Sequence, residues 1–593
     1  MLAYRTIWNM SGRVVGLPIV PPVDVFPAKR EPMIRHFKRS VLMCVVLAAS
    51  LSLSGCLEPA APAEPPTPET AARFLTQTTF GPTPTDIDHL VAVGYEAWLT
   101  EQFASTPADT HFNYVDRGGP PDCYYCNAED VWAAIDSFWY QSISGKDQLR
   151  QRVAFSFLEL FVVSAATDGV LFHEASGLAS YMDMLSAKAF GNYRDLLEAV
   201  TLSPTMGHYL SHLQNEKEDP VTGRLPDENY AREVMQLFTI GKWKLNSDGT
   251  REKDANGNDV PAYTQEEVMG LARALTGWSW GGPDTDETRW RGDLLGGART
   301  RVWNLPMQAY DQYHSQLEKK LVGGVTIPAG TPTRESLKIA LDTLFNHPNT
   351  PPFIATHLIK RLVTSNPSPA YVQRVANVFV SNREGVRGDM RAVVRAVLFD
   401  PEVWDGSYLT SPTWGKAKEP VIKMASLVRA FSCKASSGVY KLSTLQDAEY
   451  DVGQPVLMAN SVFNFFQPDF APQGEIAAAG LVAPDFQMID NYTLPGFLNI
   501  AQNLIDYGIF GGTNLNTLNC DYSKYTAVAN DPAQLTQQLA KGLMGYALQP
   551  SVQALITQAV AGMPLDTTAA SRQNRVKAAL MMMVASPDFN IQR

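Results

Sequence analysis

Apolar residues recur at helical spacing along most of this chain, and this periodicity constrains its fold more than any other feature. The segment 84–103, for example, places Ile87, Leu90 and Trp98 on one helical face. The N-terminal third contains no sustained alternation of apolar and polar residues, which is the pattern of a half-buried strand. We therefore predict a mainly α fold: a large multi-helical domain with long irregular loops and at most a minor β-hairpin near 245–261.

Length and composition indicate how the chain is divided. With 593 residues, 45% of them hydrophobic, the chain can bury a large core in one big domain plus a subdomain. We predict an N-terminal extension with a signal peptide, a Pro/Ala/Glu tether, a main helical domain, and a loop-rich segment whose C-terminal helices pack on that domain. Their bounds are 1–56, 57–69, 70–430 and 431–593.

The segment just before the tether has the pattern of an export signal. Basic residues within 35–39 precede the apolar stretch 40–53, and the sequence Leu-Ser-Gly-Cys closes it at Cys56. This ending resembles the lipobox of bacterial lipoproteins, which implies lipidation of Cys56 and a membrane-anchored protein of the bacterial cell envelope. Leu57, where Asp would favour the inner membrane, indicates the outer membrane, on its periplasmic side or at the cell surface. An ordinary signal peptide or an uncleaved anchor is the alternative.

Charge and motif content argue against several classes of partner. The net charge is -11 at pH 7 and the first 56 residues are basic, so the body lacks the positive surface that nucleic acid requires. Gly281-Gly282 and Gly323-Gly324 lack the context of a phosphate-binding loop, so we expect no nucleotide. No cofactor is predicted.

The cysteines agree with export. With Cys56 assigned to lipidation, four remain after the signal, and an even number in an exported protein suggests disulfides. These disulfide candidates are Cys123, Cys126, Cys433 and Cys520. A local bridge in the first pair with a second bridge in the last pair is one of three possible connectivities, and the sequence does not choose among them.

The most distinctive stretch, 227–278, comprises two patterned helices joined by a turn-rich insert. The first helix places four polar side chains on one face, at Asn229, Arg232, Glu233 and Gln236. Glu228 stands four residues before Arg232, which is the favourable order for an ion pair. An amphipathic surface helix is the default interpretation. The face lacks lysine, however, and its arginine can bind a carboxylate in a forked geometry, which favours a specific site.

The second helix of this pair is also strongly patterned. Thr264 and Glu267 form a capping box at its start, and Trp278 follows its end. Arg273 is an isolated charge on an otherwise apolar helix, so we expect it to pair with a carboxylate, and Glu233 is the natural candidate. Asp-Gly and Asn-Gly dipeptides in the insert are typical of hairpin turns. The insert lacks the ligand order of a calcium loop.

Two histidine patterns are candidate sites. His314 lies in a loop after the helix pair, shortly before Lys319, and a loop histidine is a reasonable acid/base candidate, with a plain surface histidine as an equally supported alternative. His208 and His212 have the spacing by which two helical imidazoles can share zinc. No Glu follows the first of them, so we favour two partly exposed histidines and predict no metal.

The segments ENYAREVMQLFTIG at 228–241 and YTQEEVMGLARALTGW at 263–278 resemble the signature of the bacterial domain-of-unknown-function family 1800 (DUF1800). AARFLTQTTFGPT near the start and MMMVASPDF near the end extend the resemblance over most of the chain after the tether. It implies an exported, mainly helical protein but carries no activity. Genes of this family often neighbour those of an exported family, numbered 1501, similar to alkaline phosphatases, which implies a possible exported partner.

Two functions therefore stand as hypotheses. The first is an uncharacterised envelope lipoprotein that binds another exported protein, such as one of family 1501, with the polar residues serving as a buried network. The second is an extracytoplasmic enzyme acting on a polar or anionic substrate in a cleft at the helix pair, with Glu233 or His314 as acid or base. In either case the polar cluster comprises Glu228, Asn229, Arg232, Gln236, Arg273, Trp278 and Lys319. We favour the first, because no nucleophile, cofactor loop or full set of metal ligands is evident.

Overall fold

Helices account for nearly all of the regular structure, as the apolar periodicity predicts. A computed structural model describes residues 58–118, 130–292, 302–442, 453–566 and 568–593. Within these ranges the strands are two residues long and pair only in twos. The prediction of a mainly α fold is confirmed.

The N-terminal half of the body is built from short and medium helices, many of which begin at a proline or at a capping Thr, Asp or Asn. Capping boxes start three of them, with Thr67, Thr83 and the predicted Thr264 as N-caps. The helices are α1 (Pro68–Thr78), α2 (Pro84–Val93), α3 (Tyr95–Ala104), α4 (His111–Asp116), α5 (Val131–Ser144), α6 (Gln148–Leu158), α7 (Gly169–Phe172), α8 (Ala175–Lys188), α9 (Tyr193–Thr201), α10 (Pro204–Tyr209), α11 (Asn229–Gln236), α12 (Gln265–Ala274) and α13 (Glu287–Arg291).

The second half continues in the same manner, with 3₁₀ turns at Asp311–Tyr313, Val322–Gly324, Pro484–Met488 and Asn514–Asn516. Its helices are α14 (Thr333–Asn346), α15 (Thr350–Leu362), α16 (Pro369–Val380), α17 (Met390–Leu398), α18 (Pro401–Trp404), α19 (Gly406–Thr410), α20 (Pro420–Ala430), α21 (Glu475–Ala478), α22 (Thr493–Tyr507), α23 (Ser523–Thr526), α24 (Pro532–Met544), α25 (Pro550–Ala561), α26 (Ala569–Val584) and α27 (Pro587–Asn590).

The described strands form three two-stranded antiparallel ladders, of which the third connects distant parts of the chain. The strands are β1 (Trp278–Ser279) with β2 (Gln308–Ala309), β3 (Lys319–Lys320) with β4 (Thr326–Ile327), and β5 (Lys416–Ala417) with β6 (Ile591–Gln592). Next to the third ladder, Gln592 Nε2 donates to the carbonyl oxygens of Leu362 at 2.6 Å and Val363 at 3.2 Å. The C-terminal strand therefore contacts both β5 and the end of α15.

The insert at 245–261 forms the hairpin structure that its turn dipeptides predict. Gly249 and Gly257 adopt φ values of +79° and +84° at two successive tight turns, a conformation that favours glycine. Backbone bridges pair Leu245 with Arg251 and Lys253 with Asp259. The first turn lies against α15 and α16, so the insert forms part of the body surface near those helices.

The helix pair is held together by close backbone packing. A Cβ on Gly270 of α12 would lie 1.8 Å from the carbonyl oxygen of Lys320 in β3, so only glycine permits this approach. After α12, Gly277 turns the chain at φ +82°. This turn brings His314 and the backbone of Tyr310 next to the end of α12.

The described residues belong to one compact unit. The tether differs from the prediction at its C-terminal end. Helix α1 begins at Pro68 with Thr67 as its N-cap, Pro66 is buried, and a carboxylate oxygen of Glu58 lies 3.7 Å from Arg395 Nε. These residues pack on the body because two prolines and a capping threonine favour the helix start there.

A disulfide joins Cys433 to Cys520, one of the candidate pairs. Cys123, Cys126 and Cys56 lie outside the described residues. Among the helices of the described ranges, none combines the length and the hydropathy needed to cross a bilayer.

Candidate functional site

Glu228, Arg232 and Gln265 form a network where α11 and α12 begin. Arg232 Nη2 lies 2.9 Å from Glu228 Oε2 and 3.2 Å from Gln265 Oε1, and Gln265 Nε2 donates to the same Glu228 oxygen at 2.7 Å. The side chains of the ion pair are partly exposed, and Asn229 beside them is exposed. A partly exposed ion pair contributes up to about 1 kcal/mol to the stability of the fold. Through Gln265, this pair also links α11 to α12.

Glu233, on the same helix, is nearly buried. Its Oε2 accepts no hydrogen bond from any described residue. Burial raises the pKa of the Glu233 carboxyl, while the nearby charges of Arg232 and Lys242 oppose that rise. The structure therefore separates Glu233 from the Glu228–Arg232 pair, although all three belong to one short helix and its cap.

Arg273 does not pair with Glu233, contrary to the prediction. Its Nε lies 3.8 Å from Glu218 Oε2. The reason is the path of the chain after α12, where the Gly277 N–H donates to the Asn215 carbonyl at 2.9 Å. This contact directs the last turn of α12 toward Glu218 and away from α11.

Lys319 and Trp278 are both buried near the end of α12. The Lys319 ammonium donates to the carbonyl oxygens of Ser315 at 2.9 Å and Leu317 at 3.0 Å. Burial lowers the pKa of Lys319 to about 8, with Glu218 opposing the change. Trp278 lies in β1 with the Arg334 guanidinium 5.9 Å from its ring centre. Both side chains are enclosed in protein.

His314 is fully buried, with both ring nitrogens in hydrogen bonds. Nδ1 lies 2.8 Å from the Thr276 carbonyl, which can only accept, so Nδ1 carries the proton. Nε2 then accepts from Ser336 Oγ at 2.9 Å. Burial lowers the pKa of His314 to about 4, so its ring is neutral at pH 7. Because neither nitrogen is accessible to a substrate, we assign His314 a structural role.

A cleft of about 260 Å³ lies beside the end of α11, and we call it the α15 cleft. Its walls come from the end of α6, the end of α11, the first turn of the insert, α15, and the segments 462–468 and 484–485. Gln236 of the predicted polar face lines it. The other side chains used below line it too: Glu159, Phe353, His357, Lys360, Arg361, Phe463, Phe466 and Asp485.

A buried ionic network forms the floor of the α15 cleft. Arg361 Nε lies 3.8 Å from Glu159 Oε2, and the Lys416 ammonium lies 3.3 Å from Glu419 Oε1 and 3.2 Å from Asp485 Oδ1. Every one of these five side chains is less than a tenth exposed. We choose this cleft as the candidate site because buried ionisable groups reach a cavity there.

Two neighbouring carboxyl groups of the network have pKa values shifted in opposite directions. Burial raises the pKa of Glu159 well above its ordinary value; Arg361 opposes the shift and the Glu419 carboxylate adds to it. Burial would also raise the pKa of Glu419, but Lys416 and the neighbouring Glu159 lower it below its ordinary range. We therefore place the shared proton on Glu159.

Arg152 lies behind this floor and is also fully buried. Its Nη2 donates to the Arg361 carbonyl at 3.0 Å. Its Nε and Nη1 have no hydrogen-bond partner among the described residues. Burial lowers the pKa of Arg152, with Glu419 and Glu159 opposing the change. Unused donors in such a place are uncommon and leave the network with spare hydrogen-bonding capacity.

His357, Lys360 and Arg361 share one face of α15, since they are spaced by three and four residues. His357 Nε2 lies 2.8 Å from the Ser156 carbonyl, so it carries the proton and leaves Nδ1 as an acceptor. Burial lowers the pKa of His357 to about 3, so the ring is neutral. The cleft thus combines a neutral imidazole with a protonated carboxyl, one an acceptor and the other a donor.

The two cations of this face differ in what already binds them. The Arg361 guanidinium stacks on Phe466, 4.3 Å from its ring centre, and also faces Glu159. The Lys360 ammonium donates to the Pro468 carbonyl at 3.0 Å and has two further protons to donate. Burial lowers the pKa of Lys360 to about 8, so it is largely charged at pH 7. Lys360 therefore keeps hydrogen-bonding capacity for a ligand.

Sequence reasoning missed most of the residues that line this cleft. A signal was present, because Glu159 is a lone carboxylate in the apolar run VAFSFLELFVV, and Arg361 lies in the apolar helix α15. Isolated charges in apolar helices are rarely buried without a partner. What the sequence did not reveal is that these two segments face each other.

The histidine pair at 208 and 212 does not lie on one helix, contrary to the prediction. Helix α10 ends at Tyr209, and Ser211 has a φ of +63°. His212 is buried and stacks on Tyr230, and His208 lies 3.0 Å from an oxygen of Asp168. Within the described residues, no group of three or more His, Cys, Asp or Glu side chains is placed to hold a metal ion.

Comparison with known proteins adds a family but no activity. A family model described as "Protein of unknown function (DUF1800)" matches residues 73–591. No curated protein and no solved structure matches the chain.

Proposed function

We propose a function for this chain, which belongs to the DUF1800 family, from the chemistry of its cleft. The protein binds a small polar or anionic molecule in the α15 cleft and hydrolyses it with the help of a proton from Glu159. The sequence also predicted an enzyme as one of two hypotheses, with Glu233 or His314 as the acid or base. In the present proposal the acid is Glu159, at the floor of the α15 cleft. The observation that carries it is a nearly buried carboxyl group, with a pKa raised by burial, that lines a cavity.

The residues of the cleft support general acid catalysis. Glu159 gives its proton to the leaving oxygen of the substrate as a water molecule adds to the other side of the broken bond. A proton of that water returns to Glu159, so each turnover consumes one water and restores the acid. His357 Nδ1 accepts a hydrogen bond from the water or the substrate, and Lys360 binds negative charge.

The test compares Glu159→Gln with the unchanged protein. A panel of alkyl glycosides, alkyl esters and alkyl phosphates is incubated with each, and products are identified by mass spectrometry. These leaving groups need protonation, so we expect turnover of at least one class, and a loss of about 100-fold or more in the variant. Glutamine has nearly the same shape as a protonated glutamate, so the variant is expected to fold.

Glu233→Gln is the matched control, because Glu233 is also a nearly buried carboxyl with a raised pKa but does not line the cleft. It should keep full turnover. The proposal fails if no substrate of the three classes is consumed, or if Glu159→Gln is as active as the control.

For location we propose an exported protein anchored to the bacterial outer membrane by a lipid on Cys56. The Leu-Ser-Gly-Cys sequence after an apolar stretch supports this. Metabolic labelling with a radioactive fatty acid in a bacterial host should label the protein and leave Cys56→Ser unlabelled. Equal labelling of both would exclude lipidation at this residue.

A second candidate function is binding of another exported protein, such as a member of family 1501. Three large side chains within 507–515 support it, since Tyr507, Phe510 and Leu515 are 80%, 61% and 62% exposed. Such side chains are common at protein interfaces. Affinity purification of a family 1501 protein with this chain, and its loss in a triple serine variant of these positions, would test the idea. Retention by that variant would refute this surface as the interface.

A further inference from the structure

The charges at the floor of the α15 cleft do not balance to zero. Three cations, Arg152, Arg361 and Lys416, face three acids, and one of those acids holds a proton in the arrangement described above. Lys360 adds another positive charge at the wall, where the Asp469 carboxylate partly offsets it. The cleft therefore carries net positive charge within a chain whose overall charge is -11. A site of this sign attracts an anion.

The walls above the floor are apolar and partly aromatic. Phe353, Phe463 and Phe466 line the cleft together with Leu237 and Val462. A hydrated inorganic ion would gain little from such walls, because burial of apolar surface on both partners is what makes them favourable. A ligand that has both an anionic group and an apolar body would use the floor and the walls together.

We propose that the α15 cleft binds an organic carboxylate with an apolar body while Glu159 holds its proton. This rests on the proposed function for the position of the ligand, but not for any reaction. The ligand carboxylate accepts hydrogen bonds from the Lys360 ammonium and the Glu159 carboxyl, and its apolar body packs against the phenylalanine rings. Ionised Glu159 would repel the ligand, so the bound state needs the proton.

The groups that face Glu159 determine how the cleft responds to pH. Arg361 and His357 approach from α15, and Arg152 from α6. Three more groups, held close together by ion pairs, approach from β5, the start of α20 and the 3₁₀ turn at 484–488: Lys416, Glu419 and Asp485. Buried His357 stays neutral above pH 5. Burial raises the pKa of Asp485, and Lys416 opposes that rise. The ammonium of Lys360 loses its charge near pH 8, a second and separable effect.

The test is calorimetric titration of the folded protein with benzoate between pH 5.5 and 9, with uncharged benzamide as the matched ligand. Benzoate should bind and benzamide should bind much more weakly. Above the pKa of Glu159, the dissociation constant of benzoate should rise about tenfold per pH unit, as uptake of one proton requires.

Two variants separate the two titrating groups. Glu159→Gln should keep benzoate binding and lose the tenfold-per-unit dependence that the unchanged protein shows above the pKa of Glu159. Lys360→Gln should weaken binding about tenfold while keeping the dependence that Glu159 causes. Lys338→Gln, an exposed lysine on α14 paired with Asp342, should change neither.

Equal binding of benzamide and benzoate would overturn the inference, as would a pH dependence that survives in Glu159→Gln. The hydrolysis test can fail while these titrations succeed, since binding needs no turnover. Conversely, turnover of uncharged substrates without benzoate binding would leave the proposed function and remove only the carboxylate preference.

Discussion

Two histidines show how differently the same residue type can be used in one molecule. His314 and His357 are each neutral and each donate one N–H to a backbone carbonyl. The second nitrogen distinguishes them, since that of His314 is satisfied by Ser336 and that of His357 is left as an acceptor in a helix that lines a cleft. Sequence favoured His314 because it lies in a loop, and loops often carry sites. The partner that occupies its second nitrogen comes from α14 and could not be inferred.

Buried His314 should make the fold sensitive to acid. Its pKa is about 4 when folded, below the ordinary value of 6.5, so the unfolded chain binds the proton more strongly. Stability is therefore present above pH 6.5 and is lost as the pH falls toward 4. At about 1.4 kcal/mol per pH unit, this residue accounts for about 2 kcal/mol between pH 6.5 and 5.

Urea unfolding of the unchanged protein and of His314→Gln at pH 7 and pH 5 measures this. The variant should be less stable at pH 7, because a buried polar contact is disturbed, but should lose less stability on acidification. An identical loss in both proteins would show that His314 does not titrate in this range.

Elements were predictable where a local rule decides them. The capping box at Thr264 and Glu267 is present, as are the paired turns of the insert. Helix ends were less predictable. Helix α10 ends before His212, where Ser211 has a positive φ, and Ser211 is neither a glycine nor a proline that would indicate such an end. Tertiary packing of the segment onto Tyr230 decided that end.

The contact between α12 and β3 gives a sharp prediction at this scale. Gly270→Ala should destabilise the protein by about 3 kcal/mol or more, because the new methyl group meets a backbone carbonyl that cannot rotate away. Gly169→Ala is the control, since a Cβ there meets nothing within 4 Å and its φ is ordinary. Thermal unfolding of both variants measures the difference, and equal melting temperatures would contradict the close packing.

At the scale of the whole molecule, the mainly α class could be predicted from the sequence but the candidate site could not. Periodicity is local, whereas the floor of the cleft joins Glu159, Arg361, Lys416 and Asp485 from four separate elements. No motif links these positions, because ion pairs depend on which helices meet. Gln236 could be predicted as a site residue because it belongs to a patterned helix, and the end of that helix borders the cleft.

Lys416 should be a major determinant of stability, because it is the cation shared by two buried carboxylates. Lys416→Met should cost about 3–5 kcal/mol at pH 7, since Glu419 and Asp485 are then left without it. Lys320→Met is the control, an exposed lysine paired with Glu266, which should cost less than about 1 kcal/mol. Urea unfolding compares the two, and similar losses would mean that burial of the network contributes little.

The ladder between β5 and β6 affects the order in which the protein folds during its synthesis. A ribosome releases residues 591–592 long after Lys416 and α15, yet these late residues pair with β5 and bind the carbonyls at the end of α15. Until they emerge, the strand that carries the shared lysine lacks its neighbour. The nascent chain can form its early helices during synthesis, but β5 gains its partner strand only after residues 591–592 emerge. A chain that stops before residue 591 would lack this support for β5 and for the end of α15.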